Sequence, residues 1–357
     1  MKKVLWWGRF DPDYSRNRIL RQILTAAGWD IVDFTPRSSL VGDFEARARK
    51  IPAVDLVWVP CFRQRDLAAA ARWAKKMGLP LVFDPLISAY DKQVFEREKF
   101  SLNSRKAKRL LRWESSLLQR ADLVLADTWE HARFFSAKLG VAAEHVAVVP
   151  VGAEENLFIP EDFVRPAGKQ ATVLFYGSFL SLQGPQVIVA AARQYVGPPL
   201  VWKLVGDGPL LAECRRLATG LTNVEFAPWV PYAELPEVIH QADLLLGVFG
   251  TSEKAGRVIA NKVYQALACG KPLVTRRASA YPESFGAADD LGIGWVAPGD
   301  PQQLAEEVSR LLSYPEALAR MGQQARQTYE AHFSQASISA SLVSALKPLL
   351  QTAGKQR

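Results

Sequence analysis

Cysteine and histidine are scarce in this chain of 357 residues, with three of the first and four of the second. Cys61, Cys214 and Cys269 are scattered, odd in number and without metal-ligand spacing. They read as buried free thiols of a reducing cytoplasm, not as a disulfide framework or a zinc site. No two histidines stand at ligand spacing, so no structural or catalytic metal is expected. No apolar run reaches the ~18 residues that a spanning helix needs. The apolar stretch after Met1-Lys2-Lys3 stops at Gly8-Arg9, too short for a signal-peptide core, and reads as a first β-strand. Low-complexity tracts are also missing. With 49% apolar and 22% charged residues, the chain has a globular composition, not a disordered one.

The length exceeds what one hydrophobic core usually serves, and two domains of roughly 100–200 residues are the natural expectation. A net charge of +8 suits phosphate-rich partners such as nucleic acid, anionic lipid or a nucleotide, and it suits a merely basic surface equally well.

Short apolar runs alternate with helical patterns throughout. The first half offers strands at Lys3–Trp7, Asp30–Phe34, Asp55–Pro60, Pro80–Asp84, Asp122–Ala126 and Val146–Val151. The second offers Thr172–Gly177, Leu200–Val205, Asn223–Ala227, Asp243–Val248, Pro272–Arg276 and Gly294–Val296. Near-continuous apolar strands separated by helices form parallel sheets covered on both faces. The expected fold class is therefore α/β, with two doubly wound, Rossmann-like domains. The linker is expected at Ile159–Gly168, where two prolines, a glycine and several charges gather. This gives domains at 1–165 and 166–332, and a last segment at 333–357 whose helix starts at Gln335, with Ser334 as its cap. Ligands of open parallel sheets bind beyond the carboxyl ends of the strands. Two such domains facing each other put those ends across a cleft.

Three strand-end loops of the second half carry residues suited to an anion, or, each taken alone, form ordinary strand–helix turns and a solvated basic loop ahead of a core helix. The first, Tyr176–Pro185, contains Gly177, Ser178 and Gln183 and leads into a helix. Its glycine admits a ligand, and the helix start favours an anion. The second holds Gly206, Asp207, Gly208 and Pro209, with the proline suited to a first helical position. It is not the dinucleotide fingerprint, which needs a third glycine and a later acid. The third, Gly250–Pro272, brings Lys254, Arg257 and Lys262 to the strand edge, ahead of a helix running roughly Asn261–Ala268. Cations and a helix N-terminus suit a pyrophosphate, and Gln265 offers an amide to hydroxyls such as a ribose diol.

In the first half, Gly8, Arg9 and Arg16 follow the first strand, and Asp84 and Asp91 follow the fourth. Carboxylates there either meet substrate hydroxyls or a cation, or cap helices. Arg105, Lys108, Arg109 and Arg112 recur at i, i+3, i+4, i+7 and form one basic stripe, opposite an apolar face that includes Leu110, Leu111, Leu117 and Leu118. Glu114 falls on that apolar side and wants a partner. The stripe is either a solvated face or a contact with anionic lipid headgroups.

The segments Ala121–Thr128, Val149–Ala153, Leu204–Pro209 and Gln265–Val274, in this order and spacing, resemble the retaining glycosyltransferases of family 4, which have the GT-B fold. The resemblance covers essentially the whole chain. It implies that the C-terminal domain binds a nucleoside-diphosphate-sugar donor and that the N-terminal domain binds a carbohydrate or lipid-linked acceptor. It further implies that the last helix crosses back onto the N-terminal domain. Transfer would proceed with retention, without a metal or other cofactor, in the cytoplasm or at the inner face of the membrane. Nucleic acid is not among the expected partners.

The sequence departs from the family pattern in places. Arg257 and Gln265 stand where two glutamates are usual, Ser178 and Gln183 where an arginine and a lysine are common, and no histidine lies near Asp84. Lys254, Arg257 and Lys262 would then meet the pyrophosphate, with Asp84 and Lys262 as the candidate catalytic residues and Asn261 at the helix start beside them. The same departures keep a second expectation open, that of a non-catalytic glycosyltransferase-like protein that binds a nucleotide-sugar or a partner.

Overall fold

The computed structural model describes residues 2–161, 170–286 and 291–355. The chain divides into two compact units, residues 1–151 with 335–357, and residues 152–334. The first unit holds β1 (Lys2–Trp7), β2 (Trp29–Phe34), β3 (Leu56–Val59), β4 (Leu81–Phe83), β5 (Leu123–Ala126) and β6 (Val146–Val148) in the order β2-β1-β3-β4-β5-β6. The second holds β7 (Ala171–Tyr176), β8 (Leu200–Val205), β9 (Val224–Ala227), β10 (Leu244–Leu246), β11 (Leu273–Arg276) and β12 (Ile293–Val296) in the order β12-β11-β10-β7-β8-β9. The strand pairs are parallel in both sheets. Both are doubly wound: the order reverses at β1 in one sheet and at β7 in the other, which places strand-end loops side by side there.

β1 shows why such sheets need covering on both faces. Side chains alternate across a strand, so Leu5 and Trp7 enter one core while Val4 and Trp6 enter another. Trp7 packs edge-on against Phe34, and Trp6 stacks on Trp58 with ring centroids 5.2 Å apart. The Val4–Trp6 face is covered by Ile19, Leu20, Ile23 and Leu24 of the helix Ser15–Ala26, and by Ile338, Leu342 and Leu346 of the last helix, Gln335–Lys355. The three residues of the last helix lie four apart, on one face. Burial of side chains this size is worth about 1.5–3 kcal/mol each before entropy is counted, which is why that helix packs with the first sheet.

The division between units falls earlier in the chain than the linker expected from proline and glycine. Residues 162–168 of that linker lie outside the described residues. The segment just before it already belongs to the second unit: the Ala153 N–H donates to the Tyr329 hydroxyl, which in turn donates to the Ala153 carbonyl. Phe158 is fully buried against Tyr232. The last helix starts at Gln335 as expected, and the hydroxyl of Ser334 ahead of it donates to the Glu330 carbonyl of the preceding helix. Cys61, Cys214 and Cys269 are free and buried, and no described helix is long and apolar enough to cross a membrane.

Candidate functional site

The glycines of the second unit's strand-end loops hold the loops against each other. Gly177, Gly206 and Gly208 have φ of +134°, +136° and +150°, a region side chains rarely adopt. A Cβ on Gly206 would lie 2.0 Å from the Gly177 carbonyl oxygen, and one on Gly208 would lie 2.6 Å from the Phe179 nitrogen. The Gly177 N–H donates to Val205, Phe179 to Asp207, and Leu210 back to Phe179. The loops after β7 and β8 are therefore one laced unit. Pro209 stands two residues ahead of the helix Leu211–Leu217 and not at its first position. Asp207 is exposed, and its Oδ1 accepts from the Gly208 N–H. Ser178 is partly buried.

Lys262 occupies the first turn of the helix Asn261–Ala268, whose N-cap residue Ala260 offers no side-chain cap. It is 5% exposed, and its Nζ has no hydrogen-bonding partner. The ammonium lies 3.7 Å from the centroid of the Phe175 ring, and 3.4 Å from where a Cβ on Gly177 would be. Burial pushes its pKa well below the ordinary lysine value. A cation in this position, at a helix start that also favours negative charge, is set to receive an anion. Gln183, in the loop after β7, likewise has a buried Oε1 without a partner.

The other members of the expected cation group are differently disposed. A short helix, Glu253–Arg257, forms where a loop was expected, because Ser252 caps it by accepting from Ala255. Arg257 then meets Glu253 one turn earlier, at 2.5 Å. Lys254 is 1% exposed. Of the three cations, Lys262 is thus the one with no partner. Gln265 is also constrained. Its Oε1 accepts from the Tyr176 hydroxyl at 2.8 Å, which leaves its amide NH2 to offer to a ligand. Asn261 stands at the helix start, partly buried.

In the first unit the candidate residues are mostly engaged with one another. Arg16 and Asp84 form a buried ion pair, Nε to Oδ2 at 2.9 Å, with exposures of 0% and 1%. Arg16 Nη1 also donates to the carbonyls of Val149 and Pro150, tying the ends of β4 and β6 to the helix that follows β1. Burial raises the Asp84 pKa above the ordinary carboxylate value, and Arg16 works against that rise. Asp84 is consequently no free acid or base, a correction to its reading as a catalytic residue. Arg16 is likewise no exposed acceptor contact. Gly8 has φ +141°, and a Cβ there would lie 3.2 Å from both Arg63 Cγ and Asp66 Oδ2. Arg9 is exposed.

One residue went unnoticed in the sequence. His131 is fully buried between Asp127, which meets its Nδ1, and Asp91, whose Oδ2 lies 3.7 Å from its Nε2. A signal was there: Thr128 caps the helix Trp129–Leu139 by accepting from the His131 N–H, so Asp127 and His131 lie four apart on either side of a cap. Glu114 finds its partners in the turn at Ser88–Tyr90, accepting from the Ser88 hydroxyl and from the N–H groups of Ala89 and Tyr90.

Comparison with known proteins bears on this arrangement. The family model for glycosyl transferases group 1 matches residues 161–328, and that for the glycosyl transferase 4-like domain matches residues 32–152. A D-inositol 3-phosphate glycosyltransferase of Acidothermus cellulolyticus is 29% identical over 56% of this chain and 47% of its own length. An MMP alpha-(1->4)-mannosyltransferase of Mycolicibacterium hassiacum is 27% identical over 82% of this chain and 64% of its own. The match thus spans about half to two thirds of these relatives. Among solved structures, Anabaena HepE in complex with UDP has a TM-score of 0.72 at 19% identity, covering 98% of this chain and 100% of that one. Sucrose-phosphate synthase of Thermosynechococcus elongatus has a TM-score of 0.74 at 19% identity, covering 99% and 100%. These two likenesses are of fold, and the fold is GT-B. The two unit sequences, the laced strand-end loops and the matched regions agree, and the chain belongs to the glycosyl transferases group 1, with a glycosyl transferase 4-like N-terminal region.

Proposed function

We propose that this chain transfers a glycosyl group from a nucleoside-diphosphate sugar to a hydroxyl acceptor, with retention and without a metal. The observation that carries the reading is the partnerless, buried ammonium of Lys262 beside Gly177. In the transfer, the bond between the anomeric carbon and the β-phosphate oxygen breaks, and its electron pair leaves with the diphosphate. A new bond forms to the acceptor oxygen, whose proton is released. Negative charge on the leaving diphosphate grows along this path. A cation in a low-dielectric site with no other anion to serve stabilises the transition state more than the ground state.

In this reading the donor lies over the loops after β7, β8 and β10, with Lys262 at the diphosphate and the Gln265 amide near the ribose. The N-terminal unit takes a carbohydrate or lipid-linked acceptor. The presence of UDP and of UDP-glucose in structures of Anabaena HepE supports a nucleotide-sugar as the ligand class. Thermal unfolding of the full chain with UDP-, GDP- and dTDP-sugars tests it: one series should raise Tm with the logarithm of ligand concentration, and Lys262→Ala should abolish the rise and lower kcat/KM. Unchanged kinetics in that variant would sink the proposal.

A second reading, a non-catalytic binder of nucleotide-sugar, is favoured by one observation. Where the family has glutamates, Arg257 is paired with Glu253 and the Gln265 oxygen is fixed by Tyr176. Calorimetric binding without turnover of any donor would favour that reading.

A further inference from the structure

The helix Arg105–Leu118 is anchored on one side and unpartnered on the other. Glu114, the one acid in the helix, is buried and spent on the Ser88–Tyr90 turn. Ala107, Leu117 and Leu118 enter the core of the first unit. The remaining face carries Arg105, Lys106, Lys108, Arg109 and Arg112, all exposed. None of these five has an ion pair or hydrogen bond to another described side chain. The arrangement is unfavourable for an isolated helix, since an N-terminal half repels cations and favours acids, and the first turn holds no acid. From residue 92 to residue 112 the chain has eight Lys or Arg against two Glu.

Apolar side chains border this face. Trp113 follows Arg109 at i+4, on the same side of the helix, and is 37% exposed; Leu102, just ahead of the helix, is 52% exposed. Next to them runs a groove of about 540 Å³ lined by Phe62, Arg65, Lys99, Phe100, Leu110 and Trp113. Phe62 is held 39% exposed in a left-handed conformation, φ +63°, with the Lys92 ammonium 5.7 Å from its ring centroid. The groove begins at the loop after β3, so it opens at the carboxyl edge of the first sheet.

We propose that this face docks the protein on the surface of an anionic bilayer, with the cations at the headgroups and Trp113, Leu102 and Phe62 at the boundary with the acyl chains. Unpaired cations flanked by exposed rings and an aliphatic side chain match the two layers of such a surface in charge and polarity. A nucleic acid fits less well, because its phosphates would meet the cations but leave the exposed Leu102 and the apolar side chains of the groove in water. The inference does not rest on the transfer reading, since docking is read without donor or acceptor.

The test is flotation of the full chain with vesicles of phosphatidylcholine, alone and mixed with phosphatidylglycerol. The chain should float with the mixed vesicles alone, and less so as salt rises. Arg109→Glu with Arg112→Glu should lower the partition coefficient by about 10-fold or more. Lys75→Glu with Lys76→Glu makes the same charge change near the opposite edge of the sheet and should alter it by less than about 2-fold. Trp113→Ala should weaken binding at low and high salt alike. Should the charge reversal fail to give a native-like thermal transition, Arg105→Gln with Lys108→Gln carries the same test with neutral side chains. Equal binding to both vesicle types, no binding to either, equal losses in the two charge-reversal pairs, or retention by RNA in place of vesicles would each overturn the proposal.

Discussion

The Lys262 ammonium lies 3.7 Å from the centroid of the Phe175 ring, buried and without a hydrogen-bonding partner. The ring face offers a weak electrostatic substitute for a counter-ion. It does not replace the water that burial has removed, and a ligand-free protein bears the difference as lost stability.

Lys262→Met should therefore stabilise the ligand-free protein while removing nucleotide binding. An unsatisfied buried polar group costs about 1–3 kcal/mol, so Tm should rise by several degrees, at about 2–4 °C per kcal/mol for a unit of this size. Scanning calorimetry with and without nucleoside diphosphate checks both halves. A fall in Tm would mean that the ammonium already has a partner.

Gly206→Ala should uncouple the loops after β7 and β8. Its Cβ would meet the Gly177 carbonyl oxygen at 2.0 Å, backbone against backbone, at φ +136°. Gly220→Ala shares the positive φ, +82°, but faces open space. The second change should cost about 1 kcal/mol of strain, and the first several times more, with loss of nucleotide binding. Similar urea midpoints for the two variants would show that the loops separate freely.

Arg16→Ala should be among the more damaging single changes in the first unit. It leaves the Asp84 carboxylate buried without its cation and frees the carbonyls of Val149 and Pro150. Removing one partner of such a pair costs about 3–5 kcal/mol. Asp84→Asn, which keeps an acceptor for Arg16, should cost less. Urea denaturation orders the two; a native midpoint for Arg16→Ala with only activity lost would return Arg16 to the acceptor site.

Lys271 offers a pH signature. Its Nζ donates to the carbonyls of His240 and Ala242, and burial lowers its pKa to about 8. The folded value is below the unfolded one, so between them the unfolded chain binds more protons and stability rises with pH. The buried cysteines, whose values are raised, pull the other way: Cys61 and Cys214 do so equally in wild type and in Lys271→Met, and Cys269 does so less in wild type, where Lys271 works against its rise. The stability of wild type relative to Lys271→Met should thus increase from about pH 8 to about pH 10.5, by as much as about 3 kcal/mol. A difference independent of pH would show that Lys271 keeps an ordinary value.

Much of the fold is legible in the chain. Among the described residues the twelve β-strands overlap the apolar runs that announce them, with β1, β2, β7 and β12 starting one residue earlier, because parallel strands buried on both faces tolerate few polar residues. The basic stripe at Arg105–Arg112 and the buried position of Glu114 both follow from a period of 3.6 residues. The site was less legible. Lys254, Arg257 and Lys262 look alike in sequence, and nothing local says that a helix capped by Ser252 will turn Arg257 onto Glu253. Asp84 reads as a strand-end carboxylate, while its partner, Arg16, lies 68 residues earlier.

Periodicity and motifs a few residues long were enough to reveal the two doubly wound sheets and the family. Tertiary structure alone decided which charges are spent and which remain. It paired Arg16 with Asp84, set His131 between Asp127 and Asp91, and left Lys262 with a ring for company. The physical reason is that a charge's availability depends on burial and on neighbours brought from distant parts of the chain, and neither is encoded in local spacing.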